Sequence, residues 1–329
     1  MGLLDEALAK ITGLDTAVME EVRVKLANLT KTTGKLGRLE TMIQQYAGIV
    51  RQTQPDKPRT CMVVACADHG VARQGVSAYP IETTAQMTVN YLVPKGASAN
   101  AFANFCGADM VVVDVGVAAD LSHVPGLMAR KIAYGTRDFT EGPAMTREQA
   151  IKAIEVGIEI VNTKAQAGFT CFSLGEMGIG NTTASAAIVA AFTGESAECV
   201  TGRGTGISDS RLQKKIGIVR KALALNKPDP TDGLDVLAKV GGFELGTLAG
   251  VIIGCAANRC AAVIDGLNTT AAALVAYAIC PLVRDYIFPS HLSGEPAHII
   301  ALRHLQLTAC VNMGVRLGEA IGASVVVDM

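Results

Sequence analysis

A glutamate near the end of the chain and a glycine-rich segment in its middle carry the residue types that group transfer requires. Glu319 lies between Gly318 and Gly322 in an apolar stretch, where burial would raise the pKa of its carboxyl group towards that of a useful base. The segment 175–183 reads Gly-Glu-Met-Gly-Ile-Gly-Asn-Thr-Thr and precedes a run of small residues typical of a helix. Backbone N–H groups at such a helix start attract phosphate. Together the two features predict group transfer on a phosphorylated substrate.

The glycine spacing of this segment excludes two common nucleotide-binding motifs. No Gly-Lys-Ser/Thr follows it, and glycines 175, 178 and 180 do not fit Gly-x-Gly-x-x-Gly. A tight turn that packs a helix on a strand is the alternative interpretation. Glu176 inside the segment and the polar residues from Asn181 onward favour phosphate binding, and both interpretations stay open.

A second glycine-dense segment, 202–209, runs into the basic start of a predicted helix that carries Arg211, Lys214 and Lys215. Such a loop with a lysine can hold a second phosphate or a ribose. A mobile surface loop with a solvated basic face is the alternative.

Two further segments could contact a ligand. Tyr79 and Met87 would suit an aromatic ligand, because contact between a thioether and a ring is favourable by about 1 kcal/mol. Core packing is the alternative for either residue alone. The segment 290–296 adds hydroxyl groups and Glu295 at the end of another predicted strand.

Strands that alternate with helices would position these residues. Short apolar runs predict buried strands at 61–66, 110–117, 170–174, 262–264 and 286–288, and helical patterns cover 83–92, 98–105 and 148–165. This alternation predicts an α/β fold with a mainly parallel sheet covered by helices on both faces. Polar loops at the carboxyl ends of such strands form the ligand crevice.

The first fifty residues have a different character. Apolar residues recur at helical spacing over 4–11, 19–29 and 39–49. The polar stretch 52–59, with two prolines, is the best candidate for a linker to the main body.

Composition narrows the functional class. The 29 basic and 30 acidic residues give a net charge of −1, and no basic cluster suggests nucleic acid binding. The richest apolar runs, 184–192 and 271–283, are shorter than the ~18 residues that span a bilayer. The acidic start at Asp5 and Glu6 is unlike a signal peptide, so we expect a cytoplasmic protein. Scattered histidines and cysteines without metal-ligand spacing predict free core thiols and no metal site.

A series of segments resembles one enzyme family over nearly the whole length. These segments are 34–40 (Gly-Lys-Leu-Gly-Arg-Leu-Glu), 67–71 (Ala-Asp-His-Gly-Val), 142–146 (Gly-Pro-Ala-Met-Thr), 175–183, 202–209, 240–244 (Val-Gly-Gly-Phe-Glu) and 289–296. They occur in the order found in the nicotinate-nucleotide–dimethylbenzimidazole phosphoribosyltransferases, which the chain resembles. That family activates the lower-ligand base of cobamides.

The resemblance implies a Rossmann-like parallel sheet and a small helical domain built from both chain ends. We divide the chain into residues 1–55, an α/β main domain at 56–300, and a C-terminal part at 301–329. The enzyme would be a dimer, either of identical chains or of two homologous chains, in which the partner completes the site. It would move phosphoribose from nicotinate mononucleotide to an aromatic base without a cofactor.

The resemblance also implies roles for individual residues. Glu319 matches the catalytic glutamate, and Glu176 is the second predicted catalytic residue. The predicted substrate-binding residues are Tyr79 and Met87 at the base, Gly202, Lys215, Asp265 and Ser293 at the phosphoribosyl group, and Gly178, Asn181, Gly204, Leu317 and Gly318 around them.

Two alternatives depend on departures from the family pattern. Ala320-Ile321 stand where the family has Gly-Ser/Thr, and the family pattern continues beyond Met329. Both favour a non-catalytic chain that completes the site of a homologous partner. The apolar character of Tyr79 and Met87 leaves room for adenine or a phenol as the acceptor. A nicotinamide-dependent oxidoreductase, a third hypothesis, lacks its glycine fingerprint.

Overall fold

A parallel sheet forms the centre of the computed structural model, which describes residues 2–29, 31–32 and 34–329. All five neighbouring pairs of its strands are parallel. The strands are β1 (Thr60–Ala67), β2 (Asp109–Gly116), β3 (Met128–Ala129), β4 (Cys171–Met177), β5 (Ala261–Ile264) and β6 (Ile287–Pro289). Their order, β3-β2-β1-β4-β5-β6, is the doubly wound order with its switch point between β1 and β4. The predicted Rossmann-like fold class is confirmed.

Helices connect the strands. The α-helices are α1 (Leu3–Lys10), α2 (Thr16–Ala27), α3 (Arg38–Val50), α4 (Thr83–Leu92), α5 (Ser98–Cys106), α6 (Arg147–Gln166), α7 (Asn181–Thr193), α8 (Ala197–Val200), α9 (Asp209–Asn226), α10 (Gly233–Val240), α11 (Phe243–Ala257), α12 (Leu267–Ile279), α13 (Pro296–His304) and α14 (Ile321–Asp328). Short 3₁₀-helices cover Gly70–Gln74 and Pro281–Tyr286.

Both faces of the central sheet are covered. Every residue of β1 is buried, and successive side chains of a strand point to opposite faces. Helix α11 packs on β1, β2, β4 and β5 and against α6, while α4 packs on β1, β2 and β4. Helix α14 packs on β4, β5 and α5. The last helix of the chain therefore lies directly on the sheet.

Local signals set several helix boundaries. The side chains of Asp15 and Ser208 accept hydrogen bonds from the first turns of α2 and α9. Thr146 and Gln149 form a capping box at the start of α6. Helix α12 ends just before Pro281, because proline cannot continue a helix.

The structure differs from the sequence prediction in two strands. Strand β4, predicted to end at Leu174, continues to Met177, so Glu176 lies in the strand and not in a loop. The backbone of the added residues pairs with β1. Strand β3, which has two residues and pairs with β2, was not predicted.

The two ends of the chain contact each other. The Arg38 guanidinium on α3 donates to the carbonyl of Ala309 at 2.8 Å, and Lys57 pairs with Asp328 at 3.0 Å. The predicted linker 52–59 has irregular backbone. The proposed domain boundaries remain predictions, and Met1, Thr30 and Thr33 of the first segment lie outside the described residues.

The nine cysteines are free thiols, as predicted. Five are buried in the core, three are half-buried, and Cys199 is exposed. No helix in the described part of the chain has both the length and the apolar character needed to cross a membrane.

Candidate active site

Glu319 lies in the turn that leads into α14. Glu319 and Ala320 both have left-handed backbone, with φ of 62° and 64°, which is unfavourable for residues other than glycine. Burial raises the pKa of the Glu319 carboxyl group, and the nearby Tyr91 hydroxyl partly offsets this effect. Within the described residues, neither Glu319 Oε2 nor the Tyr91 hydroxyl completes a hydrogen bond. The turn thus holds a proton-accepting group at a half-buried position.

Glu176 lies beside this turn at the carboxyl end of β4. Its Oε2 accepts a hydrogen bond from the Asn181 amide, and Gly318 lies directly against its Oε1, where a side chain would overlap that oxygen. Burial, followed by the charges of Glu244 and Glu319, raises the pKa of Glu176 to about 7, although a hydrogen bond from Asn268 acts in the opposite direction. The structure therefore brings Glu176, Asn181, Gly318 and Glu319 together.

A buried histidine–glutamate pair lies next to these residues. His69 Nε2 and Glu244 Oε1 are 2.6 Å apart, and both side chains are 0% exposed. Burial lowers the pKa of His69, but the Glu244 carboxylate outweighs this effect, so the pKa lies above its ordinary value. The segments 67–71 and 240–244 were both noted in the sequence as parts of the family resemblance, but the contact between His69 and Glu244 was not predicted. Because 175 positions separate the two residues, nothing in their local patterns indicated it.

The first residues of α7 connect the acidic residues to the second glycine loop. Asn181 contacts Glu176, and the next residue, Thr182, accepts a hydrogen bond from Lys215 Nζ at 2.8 Å. Burial lowers the pKa of Lys215 to about 8, although the negative charge of Glu295 raises it. The Gly204 N–H donates to Glu295 Oε1 at 2.8 Å. We call this group, formed by Gly202, Gly204, Thr182, Lys215 and Glu295, the cationic loop site.

Asp265 and Ser293 lie at the ends of β5 and β6. Asp265 Oδ1 accepts from the N–H of Ala323 in α14 at 3.0 Å, and burial raises the pKa of Asp265 to about 7. Ser293 Oγ accepts from the Glu295 N–H at 3.3 Å and so adjoins the cationic loop site. Asp265 instead supports the helix that follows Glu319.

The residues predicted to face the base are more dispersed. Met87 lies one turn before Tyr91 on the same face of α4. Tyr79 is 57% exposed, and its loop contacts the second glycine loop through Ser77 and Thr205, whose hydroxyl oxygens are 3.1 Å apart. Leu317 is also exposed. No hydrogen bond among the described residues joins Tyr79 or Leu317 to Glu319. Tyr91 was not predicted, because its proximity to Glu319 joins two distant segments of the chain.

Comparison with known proteins decides the family. A family model described as phosphoribosyltransferase matches residues 11–329. The nicotinate-nucleotide–dimethylbenzimidazole phosphoribosyltransferase of Roseiflexus sp. (strain RS-1) is 49% identical over 98% of this chain and 91% of the relative. The chain belongs to this phosphoribosyltransferase family. The enzyme of the same name from Geobacter metallireducens is 46% identical over 100% of this chain and 93% of its own length.

The phosphoribosyltransferase fold is shared as well. The crystal structure of CobT from Thermus thermophilus matches with a TM-score of 0.90 at 40% identity, covering 94% of this chain and 93% of that one. The family predicted from the sequence is therefore confirmed. No group of three or more His, Cys, Asp or Glu side chains within the described residues is arranged to hold a metal ion.

Proposed function

We propose that this phosphoribosyltransferase moves the phosphoribosyl group of nicotinate mononucleotide to an aromatic base, with dimethylbenzimidazole as the principal acceptor, and so supplies the lower-ligand nucleotide of cobamides. The relatives named for nicotinate nucleotide and dimethylbenzimidazole match at 46–49% identity over nearly the full chain, which supports this assignment. Within the molecule, the half-buried Glu319 carboxylate beside Glu176 is the observation that carries the proposal.

The reaction requires one bond to break and one to form at the anomeric carbon. The bond between that carbon and the pyridinium nitrogen breaks, and its electron pair leaves with nicotinate. A nitrogen of the incoming base attacks from the opposite face, which inverts the configuration and gives an α-linked nucleotide 5′-phosphate. The proton lost by the attacking base passes to Glu319, whose raised pKa suits a general base.

The cationic loop site would hold the phosphate of the same substrate. Lys215 is buried and its ammonium group makes one hydrogen bond, to Thr182, within the described residues. A phosphate would accept the remaining donors of the ammonium group. Because Asn181 and Thr182 are adjacent on α7, phosphate bound there would lie close to Glu176, and such positioning supplies part of the barrier reduction.

We also propose a dimer in the cytoplasm. The exposed side chains of Tyr79 and Leu317, both predicted to contact substrate, would be covered by a partner chain that completes the site. We expect the partner to be a second copy of this chain, and a homologous chain is the alternative that the acceptor series below tests.

The test is nicotinate release by the purified chain alone. Wild type would be mixed with nicotinate mononucleotide and dimethylbenzimidazole, adenine or phenol, each in turn. Glu319→Gln removes the proton acceptor with little change in shape, and we expect kcat to fall about 10²- to 10⁴-fold. Glu21→Gln, an exposed glutamate on α2, is the matched control and should retain full activity.

The acceptor series also separates the alternatives. Nicotinate release with phenol or adenine but not with dimethylbenzimidazole would show that the acceptor is a different base. The assignment as a phosphoribosyltransferase would stand. No release with any acceptor, followed by release once a homologous chain is added, would contradict the proposal and identify a partner subunit.

A further inference from the structure

Two opposite charges in the cationic loop site lie near each other without forming an ion pair. The Lys215 Nζ atom lies 3.3 Å from the point where a side chain at Gly204 would begin, and the Gly204 N–H is hydrogen-bonded to Glu295. Lys215 and Glu295 thus flank one glycine. Within the described residues, however, their nitrogen and oxygen atoms form no salt bridge within 4.0 Å.

Each of the two groups has unused hydrogen-bonding capacity. Lys215 Nζ has three donors and uses one of them, on Thr182. Glu295 Oε1 accepts from Gly204, whereas Glu295 Oε2 is buried against Gly202 and has no donor among the described residues. A buried carboxylate oxygen without a donor is costly, so such an atom in a native protein calls for an explanation.

A phosphate group alone can satisfy the hydrogen bonding of Lys215 but not that of Glu295. Its oxygens accept hydrogen bonds from Lys215, but the fully ionised phosphate group of an ester has no proton to offer to Glu295. The hydroxyl groups of a sugar are donors and can supply that hydrogen bond. A phosphorylated ribose therefore matches both groups, with acceptors for the lysine and donors for the glutamate.

We propose that Glu295 binds a ribose hydroxyl group of the phosphoribosyl substrate through Oε2, while Lys215 binds its phosphate. This inference rests on the proposed function and deepens it, because it assigns sugar recognition to a residue outside the predicted substrate-binding set. Glu295 is a specificity residue that distinguishes a sugar phosphate from phosphate itself. It is also held in place: Ser293 accepts from its N–H at 3.3 Å, and Pro296 begins α13 immediately after it.

The experiment compares two probes, methyl phosphate and ribose 5-phosphate, by titration calorimetry on the full chain at pH 8, where both phosphate groups are fully ionised. In Glu295→Gln the oxygen that accepts from Gly204 is retained and Oε2 is replaced by an amide nitrogen. We expect the affinity for ribose 5-phosphate to fall about tenfold, equivalent to about 1.4 kcal/mol, while the affinity for methyl phosphate stays the same. The KM for nicotinate mononucleotide should rise by a similar factor, with a smaller change in kcat.

Asp209→Asn is the matched control. Asp209 lies at the end of the same loop, pairs with Arg203 and is exposed, so its removal takes away one negative charge without changing the buried oxygen. We expect both affinities to remain at the wild-type value. Glu295→Ala, checked for folding by its thermal unfolding midpoint, should reproduce the selective loss.

Three results would overturn the inference. Unchanged affinity for ribose 5-phosphate would show that Oε2 receives no sugar hydroxyl. An equal loss for both probes would show that Glu295 only anchors the loop, and tighter binding of both would show that it competes with phosphate. If wild type releases nicotinate while any of these occurs, the proposed function stands and only the role of Glu295 fails. If wild type neither binds ribose 5-phosphate nor releases nicotinate, both proposals fail.

Discussion

Glu176 and Glu319 are two partly or fully buried carboxyl groups on either side of Gly318. Burial raises the pKa of each, and the charge of Glu319 adds to the effect on Glu176. Since like charges at close range disfavour ionisation of both groups, the two should titrate as a coupled pair. The pair rather than either residue alone therefore determines the pH at which a proton acceptor becomes available.

This coupling predicts the pH dependence of the reaction. Glu319 accepts a proton only when ionised, so kcat/KM should rise with pH through a limb above 4.5, the ordinary value for glutamate. In Glu319→Gln the charge of Glu319, one cause of the raised pKa of Glu176, is gone, so the Glu176 carboxyl group should titrate at lower pH than in wild type. The measurements are kcat/KM for nicotinate release by wild type from pH 4 to 9, and the NMR titration of the Glu176 carboxyl carbon in wild type and variant. A Glu176 transition that stays in place, or moves to higher pH, would contradict the coupling.

At the scale of residues, the sequence identified the acidic residues and glycines of the candidate site, but not the residues that contact them. Glu319, Glu176, Asn181 and Gly318 come together as the resemblance implies. Tyr91 and the His69–Glu244 pair did not emerge, because their significance depends on contacts between distant segments. Such a contact leaves no local periodicity, and buried His, Glu and Tyr each have ordinary roles in a core.

At the scale of elements, β4 and the turn before α14 determine where Glu319 lies. An added Cβ at Gly175 would come within 3.0 Å of Ala320 and of the Glu319 carbonyl carbon. The glycine in the strand therefore permits the close approach of the turn to the sheet. Without it the turn would have to shift by a few tenths of an ångström.

Gly175→Ala should lower activity more than stability. Displacement of the Glu319 turn would misplace the proton acceptor, and we expect kcat to fall about ten- to a hundredfold. Kinetics and chemical denaturation would be measured on the same preparation. Gly217→Ala in α9, where an added Cβ meets nothing within 4 Å, is the matched control and should keep wild-type kcat. Equal kcat in the two variants would show that the approach at Gly175 is not needed.

Five of the six strands were predictable, because a short apolar run bounded by polar loops is typical of a buried strand, whereas β3 has only two residues and gives no such run. The end of β4 was not, since Gly175 and Glu176 are typical of loops and only pairing with β1 extends the strand. Helix α11 gave no amphipathic pattern. Apart from its last residue it is buried on all sides, so no polar face reveals the helical period.

At the scale of the whole molecule, one arginine joins the N-terminal helices to the sheet. The Arg259 guanidinium donates to the carbonyls of Gly48 at 2.6 Å and Ile49 at 2.7 Å, at the end of α3. It also donates to the Gly13 carbonyl at 3.0 Å and to the Tyr286 hydroxyl at 2.9 Å. A single side chain thus satisfies carbonyl groups in the last turn of α3 and in the connection between α1 and α2.

Arg259→Ala should loosen that region. The loss of hydrogen bonds between a charged donor and several carbonyls should lower the free energy of unfolding by about 2 kcal/mol or more. Hydrogen exchange should speed up in α2 and α3 before it does in β1 and β4. Arg23→Ala is the control, because Arg23 forms an exposed pair with Glu20 within α2 and should leave stability unchanged within error. Uniform acceleration across the sheet would show that Arg259 stabilises the fold as a whole.

The positions of the cysteines allow thiol labelling to report when the core of the protein unfolds. Cys199 is the exposed cysteine, while five others are sealed in the core and their pKa values are raised by burial, which keeps them protonated and unreactive. A maleimide should modify Cys199 first in the native protein, and mass spectrometry should then show the core cysteines labelled together once the sheet separates. Gradual labelling of those five cysteines under native conditions would mean that the core opens locally far more often than its packing implies.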